Sequence, residues 1–107
     1  MLAAERERAV ARLASLEREF GGIVEAAQGA GTDDEHDPEG ATLAFERQHV
    51  AALAQAAREH VSDIDAALGR LADGSYGTCQ TCGQPIGAER LTARPAARTC
   101  IGCTKRR

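Results

Sequence analysis

Two stretches of the sequence carry apolar residues at spacings that alternate between three and four, the pattern of a narrow helical seam. In the first stretch, these residues are Leu2, Ala9, Leu13, Leu16, Phe20 and Ile23. In the second stretch, they are Leu43, Val50, Ala54, Ala57, Val61, Ile64, Leu68 and Leu71. Charged residues fill most of the other faces. A stripe this narrow buries itself against one partner helix, so the pattern predicts two helices packed along each other.

The segment between the two stretches, QGAGTDDEHDPEG at residues 28–40, predicts a turn. Asp37, Pro38 and Glu39 make a helix start, with the aspartate as N-cap and the proline in the first helical position. Because a short connection favours antiparallel neighbours, we expect a helical hairpin over residues 1–73. Its second helix is expected to run from about residue 38 to residue 73.

Glycines lie within the first expected helix and directly after the second. Two adjacent glycines, Gly21 and Gly22, together cost about 2 kcal/mol of helix propensity relative to alanine, so the first helix is expected to stop or kink there. Gly74 is expected to end the second helix by taking a left-handed conformation just after it.

The composition excludes a large globular core. The 107 residues include two Phe, one Tyr and no Trp, and alanine supplies much of the hydrophobic content. A chain of this kind needs a simple helical architecture or a staple. No stretch resembles a signal peptide or a membrane span, so we expect a cytoplasmic protein whose thiols stay reduced.

The four cysteines form two pairs with the spacing C-x2-C-x17-C-x2-C. Each C-x-x-C turn places two sulfurs on one side of a tight loop, and two such loops can complete a tetrahedron around zinc. Four protein ligands leave no open position on the metal, which indicates a structural ion rather than a catalytic one. We therefore predict a small zinc finger over residues 74–107 that holds one structural Zn²⁺. The expected ligands are Cys79, Cys82, Cys100 and Cys103.

Other uses of four thiols fit less well. A redox-active pair would need a βαβ pattern, which the sequence lacks, and two disulfides would need an oxidising compartment. An iron–sulfur cluster on the same ligands is a further alternative. The three histidines are distant from the cysteines in sequence and are expected to be solvated: His36, His49 and His60.

Charge divides the chain into an acidic and a basic part. Residues 1–69 contain six basic and fourteen acidic side chains, a net charge of −8, and residues 70–107 contain seven basic and two acidic ones, a net charge of +5. The expected tip of the hairpin, residues 31–40, is the most acidic segment. Its acids are Asp33, Asp34, Glu35, Asp37 and Glu39. A solvated loop is the simplest interpretation, and the order of a calcium loop is missing. No catalytic constellation is present either, so we predict no enzyme.

The sequence YGTCQTCGQPIGAERLTARPAARTCIGC, residues 76–103, resembles the C-terminal finger of the DksA/TraR family of bacterial transcription regulators. The similarity extends beyond the cysteines to neighbouring positions and to the acidic-tipped hairpin. The positions shared in the finger are Tyr76, Gly77, Gly83, Ile86, Arg90, Leu91, Ala93 and Pro95.

The resemblance implies a mostly α protein, an antiparallel coiled coil with a finger, that binds bacterial RNA polymerase. In this family the coiled coil enters the secondary channel of the polymerase, and acids at its tip regulate initiation near the catalytic centre. We expect a monomer with no membrane contact and no sequence-specific DNA binding. The family tip motif is Asp-x-x-Asp-x-Ala, whereas here Asp34-x-x-Asp37 is followed by Pro38 and Glu39. The residues that this implies as regulatory are Asp33, Asp34, Asp37 and Glu39.

Two other functions are compatible with a four-cysteine finger. One is a zinc-dependent adaptor for another protein. The other is a DNA-binding finger, because the same cysteine spacing occurs in GATA-type fingers. The net charge of −8 on residues 1–69 argues against DNA, since neutralising phosphates dominates DNA affinity.

Overall fold

The computed structural model describes residues 1–29 and 38–105. Within these residues the regular structure is helical, apart from one isolated antiparallel bridge between Thr78 and Pro85. No helix of this described part is long and apolar enough to cross a lipid bilayer. The architecture confirms the predicted class, a helical hairpin followed by a small four-cysteine finger. The helices are α1 (Leu2–Gly29), α2 (Pro38–Asp73), α3 (Ala88–Ala93) and α4 (Ile101–Thr104).

The ends of α2 lie where the sequence places them. The helix begins at Pro38 and ends at Asp73. Gly74 follows with φ +87°, and the Ser75 N–H donates to the Arg70 carbonyl oxygen at 2.9 Å. This bond satisfies a carbonyl of the last turn that has no partner within the helix. The expected role of Gly74 is therefore confirmed.

The predicted stop at Gly21 and Gly22 is wrong, because α1 continues through both glycines to Gly29. Phe20 and Ile23 flank the two glycines and pack on the buried cluster of the hairpin. Tertiary packing of this kind outweighs the weak helix propensity of glycine.

The chain forms two compact units, and one of them comprises residues 9–59. Its core is a cluster in which α1 and α2 pack on each other. Two of the three buried members on the α2 side are alanine, and small side chains let two helix backbones approach closely. The buried members are Leu16, Val50, Ala54 and Ala57, and the partly buried members are Leu13, Phe20, Ile23 and Leu53.

The other unit combines residues 1–8 with residues 60–107. Here the start of α1 lies against the second half of α2. The Arg6 Nε atom donates to the Asp65 Oδ1 atom at 2.6 Å. Contacts between residues so far apart in sequence are those of antiparallel helices.

The end of the α2 seam differs from the prediction. The buried side chains near this end are Ile64, Ala67 and Arg70, at spacings of three. Leu71, predicted to belong to the seam, is 55% exposed. The predicted position of Leu71 is therefore wrong, because Arg70 takes the buried position one residue earlier.

Candidate metal centre

The first cysteine pair lies on a tight turn after α2. The Gly83 N–H donates to the Cys79 carbonyl oxygen at 2.9 Å, and the Cys79 N–H donates to the Gln84 carbonyl oxygen at 2.8 Å. Gly83 has φ +75°, a conformation that a residue with a Cβ atom rarely adopts. The glycine after Cys82 thus allows the chain to reverse.

The second cysteine pair lies at the start of α4. Cys100 precedes the helix in an extended conformation, and the Thr104 N–H donates to the Cys100 carbonyl oxygen at 3.0 Å. Cys103 lies in the single helical turn that follows. A single turn brings the two cysteine side chains to the same side of the backbone.

Backbone hydrogen bonds join the two loops. The Gln80 N–H, within the first pair, donates to the Arg98 carbonyl oxygen at 2.9 Å. The Ile86 N–H donates to the Gly77 carbonyl oxygen at 2.8 Å, which closes the loop that carries the first pair. The bond between Gln80 and Arg98 therefore connects the two pairs without using a cysteine side chain.

The four cysteine sulfurs meet at one point. All four Sγ atoms lie within 4.8 Å of one another, and those of Cys82 and Cys100 are 3.8 Å apart. A tetrahedron with Zn–S bonds of about 2.3 Å has sulfur–sulfur edges of about 3.8 Å, so the observed spacing fits zinc. The four cysteines, all among the described residues, form no disulfide. Cys79 is 2% exposed, whereas Cys82 is exposed.

The thiols do not ionise alike. Hydrogen bonds from the backbone N–H groups of Cys100 and Cys82 lower the pKa of the Cys79 thiol to about 6. The side-chain hydrogen bond with Cys100 raises the pKa of Cys103 to about 12. Four thiolates this close would repel one another, and the positive charge of a bound cation would offset this repulsion, so that each coordinated thiol is deprotonated.

Three side chains that the sequence analysis did not assign to the site hold the segment before the second pair. Arg70, 9% exposed, directs one terminal nitrogen toward the carbonyl oxygens of Ala96 and Ala97, at 3.4 and 3.5 Å. The Arg98 guanidinium donates to the Asp63 carboxylate at 3.1 Å. The third side chain is that of Tyr76, whose hydroxyl donates to a backbone carbonyl oxygen of this segment. A basic residue in the last turn of a helix commonly bonds the carbonyls of its own helix, so the position of Arg70 in the sequence does not point to these distant acceptors.

The structure does not describe the side chains of the expected regulatory acids of the tip. Asp33, Asp34 and Asp37 lie outside the described residues, as does the side chain of Glu39. Their role stays a prediction.

A family model, described as the prokaryotic dksA/traR C4-type zinc finger, matches residues 74–107. The fold is similar to the solved structure of the transcription factor DksA2 from Pseudomonas aeruginosa. That similarity has a TM-score of 0.61 and a sequence identity of 30%, and it covers 98% of this chain and 81% of that chain. The chain belongs to the DksA/TraR family. Its cofactor is one zinc ion, as the family model and the four clustered sulfurs indicate.

Curated members of the family match over a shorter region. The RNA polymerase-binding transcription factor DksA of Caulobacter vibrioides is 49% identical over 49 residues, which are 46% of this chain and 34% of the relative. The DksA of Escherichia coli K12, with the same descriptive name, is 41% identical over 46 residues, which are 43% of this chain and 30% of the relative. The matched region thus spans about a third of these curated DksA proteins.

Proposed function

We propose that this protein is a transcription regulator that binds bacterial RNA polymerase. The observation that carries the proposal is the similarity to DksA2, which covers 98% of the chain and so includes the hairpin as well as the finger. The curated relatives named RNA polymerase-binding transcription factor add support from the sequence. An RNA polymerase partner implies the cytoplasm, the compartment expected for reduced thiols.

The proposed mode of binding is entry of the hairpin into the secondary channel, with the tip toward the catalytic centre. The narrow α1–α2 seam supports this mode, since a pair of helices without a broad core suits a restricted passage. The acids of the tip would then act at close range on Mg²⁺ and on basic side chains of the polymerase. This role is regulatory, and no catalysis is assigned to the chain.

The proposed zinc ligands are the four cysteines, and the zinc is structural. The meeting of all four sulfurs within 4.8 Å supports this assignment. A set of four cysteines leaves no position for a substrate or a reactive water. When bound, the metal would hold together two loops that have few buried apolar side chains of their own. The ligands are Cys79, Cys82, Cys100 and Cys103.

The contacts of three arginines in and beside the finger favour a protein partner over DNA. Arg70 and Arg90 donate to backbone carbonyl oxygens, and Arg98 donates to Asp63. Guanidinium groups engaged in this way are less available to neutralise phosphates, which is the main source of DNA affinity. A zinc-dependent adaptor for another protein is the alternative that the experiment below separates.

The test compares binding with transcription output for a tip variant. A photo-crosslinker at position 37 should attach the protein to the catalytic subunits of polymerase core. Asp37→Ala should keep the affinity for core polymerase, measured by fluorescence anisotropy, and change the transcript yield. Glu46→Ala, which removes an exposed acid from α2, is the charge-matched control and should change neither quantity.

Two results would contradict this proposal. Equal loss of binding and of transcriptional effect in Asp37→Ala would favour the adaptor. Absence of any complex with core polymerase would contradict the proposed function itself.

A further inference from the structure

Arg90, in α3, makes two hydrogen bonds to the residues that flank the second cysteine pair. Its Nε atom donates to the Thr99 carbonyl oxygen at 2.8 Å, immediately before Cys100. One of its terminal nitrogens donates to the Thr104 Oγ1 atom at 3.1 Å, immediately after Cys103. A single guanidinium therefore holds both ends of the four-residue segment that carries the two sulfurs.

The Thr104 hydroxyl closes this arrangement. Its oxygen lies 2.7 Å from the Thr99 hydroxyl and 3.0 Å from the Cys100 carbonyl oxygen. A hydroxyl offers one donor and two lone pairs. Thr104 can accept from Arg90 and from Thr99 while it donates to Cys100, so its full hydrogen-bonding capacity is used within the segment.

We infer that Arg90 is a positioning residue for zinc, which fixes the second cysteine pair in its metal-binding geometry. The planar guanidinium holds its five N–H donors in fixed directions, which suits it to set the distance between two separate acceptors. Without this contact, Cys100 and Cys103 would sample more separations and lose part of their preorganisation. The inference rests on the ligand assignment proposed above.

Arg94 provides a matched control, because it lies one turn beyond Arg90. Its side chain is exposed, and it takes no part in the hydrogen bonds around Thr99 and Thr104. Replacing either arginine removes the same charge, but only the replacement of Arg90 removes the two hydrogen bonds to Thr99 and Thr104.

The first experiment measures the rate at which the zinc-loaded full-length chain releases metal to a chromogenic chelator. Because partners that orient metal ligands contribute about 10- to 100-fold to metal affinity, Arg90→Ala should release zinc about tenfold faster than the unaltered chain. Arg94→Ala should release it at the unaltered rate. The release rate of Arg90→Lys should lie between those of Arg90→Ala and the unaltered chain, since an ammonium group can restore one of the two hydrogen bonds. Equal release rates in Arg90→Ala and Arg94→Ala would overturn the inference.

The second experiment locates the effect. In zinc-loaded Arg90→Ala, alkylation followed by peptide mass spectrometry should show Cys100 and Cys103 gaining label relative to Cys79 and Cys82. A general loss of stability would raise the label on all four cysteines together, and this result would overturn the positioning role. Should Arg90→Ala fail to fold, Thr104→Val removes the shared hydroxyl and should shift the labelling in the same direction; an unshifted pattern in that variant would also overturn the inference.

The ligand assignment is tested separately. The unaltered chain should hold one zinc, and Cys100→Ser should weaken or abolish its binding. Retention of tightly bound zinc by Cys100→Ser would refute the ligand assignment. Loss of zinc in Cys100→Ser together with unchanged release in Arg90→Ala would refute only the role of Arg90.

Discussion

The Tyr76 hydroxyl donates a 2.8 Å hydrogen bond to the carbonyl oxygen of Pro95. The tyrosine precedes the first cysteine pair and the proline precedes the second. This bond therefore ties together the two halves of the finger independently of any metal.

Tyr76→Phe removes this bond and keeps the aromatic ring. We expect the free energy of unfolding to fall by about 1 kcal/mol, because the half-buried Pro95 carbonyl loses its partner. Urea denaturation of the zinc-loaded protein measures the change, with the midpoint lowered and the slope unchanged. An unaltered midpoint would mean that solvent satisfies the Pro95 carbonyl equally well.

Ile64 and Leu71 make a matched pair of apolar side chains on α2. Ile64 is 0% exposed, so Ile64→Ala should cost about 2 to 5 kcal/mol through lost burial and the resulting cavity. Leu71 is 55% exposed, so Leu71→Ala should change stability by no more than about 0.5 kcal/mol. Thermal unfolding followed by circular dichroism compares the two, and similar losses would restore Leu71 to the seam.

Gly21 and Gly83 should respond to alanine with opposite signs. A Cβ atom would meet nothing within 4 Å at either position. Gly21 is helical, so Gly21→Ala should stabilise the protein by about 1 kcal/mol. Gly83 has φ +75°, so Gly83→Ala should destabilise it by about 1 to 2 kcal/mol. Chemical denaturation of the two zinc-loaded variants checks the signs, and stabilisation by Gly83→Ala would contradict the left-handed turn.

Removal of zinc should unfold the finger. The buried hydrophobic residues among described positions 74–105 are Cys79 and Ile86, which form too small a core to replace the metal. After chelation, limited trypsin digestion should cut rapidly after Arg90 and Arg98, and added zinc should restore protection. An apo-protein as resistant as the zinc-loaded form would show that the finger folds without metal.

The sequence predicts most of the metal centre because its chemistry is local. The C-x-x-C spacing specifies each cysteine pair within a few residues, and the glycine after Cys82 allows the turn of the first pair. The start of α2 at Pro38 and its end before Gly74 follow from equally local rules of helix capping. Predictions of this kind need no knowledge of what packs against the segment.

The structure differs from the sequence-based predictions where contacts with distant segments determine the position of a residue. Arg70 looks like a surface residue in sequence, but it is buried because the carbonyl oxygens of Ala96 and Ala97 lie beside it. Because Ile64, Ala67 and Arg70 occupy the buried positions at spacings of three, Leu71 faces solvent. Likewise, Gly21 has weak helix propensity, and packing by its neighbours keeps it helical. A periodic pattern cannot supply these tertiary partners.

The composition of the two compact units sets an order for synthesis on the ribosome. Residues 9–59 contain a complete unit, whereas residues 1–8 belong to a unit that also needs residues 60–107. The nascent chain can therefore assemble the unit of residues 9–59 first, whereas Arg6 can pair with Asp65 only after Asp65 has left the exit tunnel. During translation, residues 1–8 thus leave the ribosome well before the residues after position 59 that complete their unit.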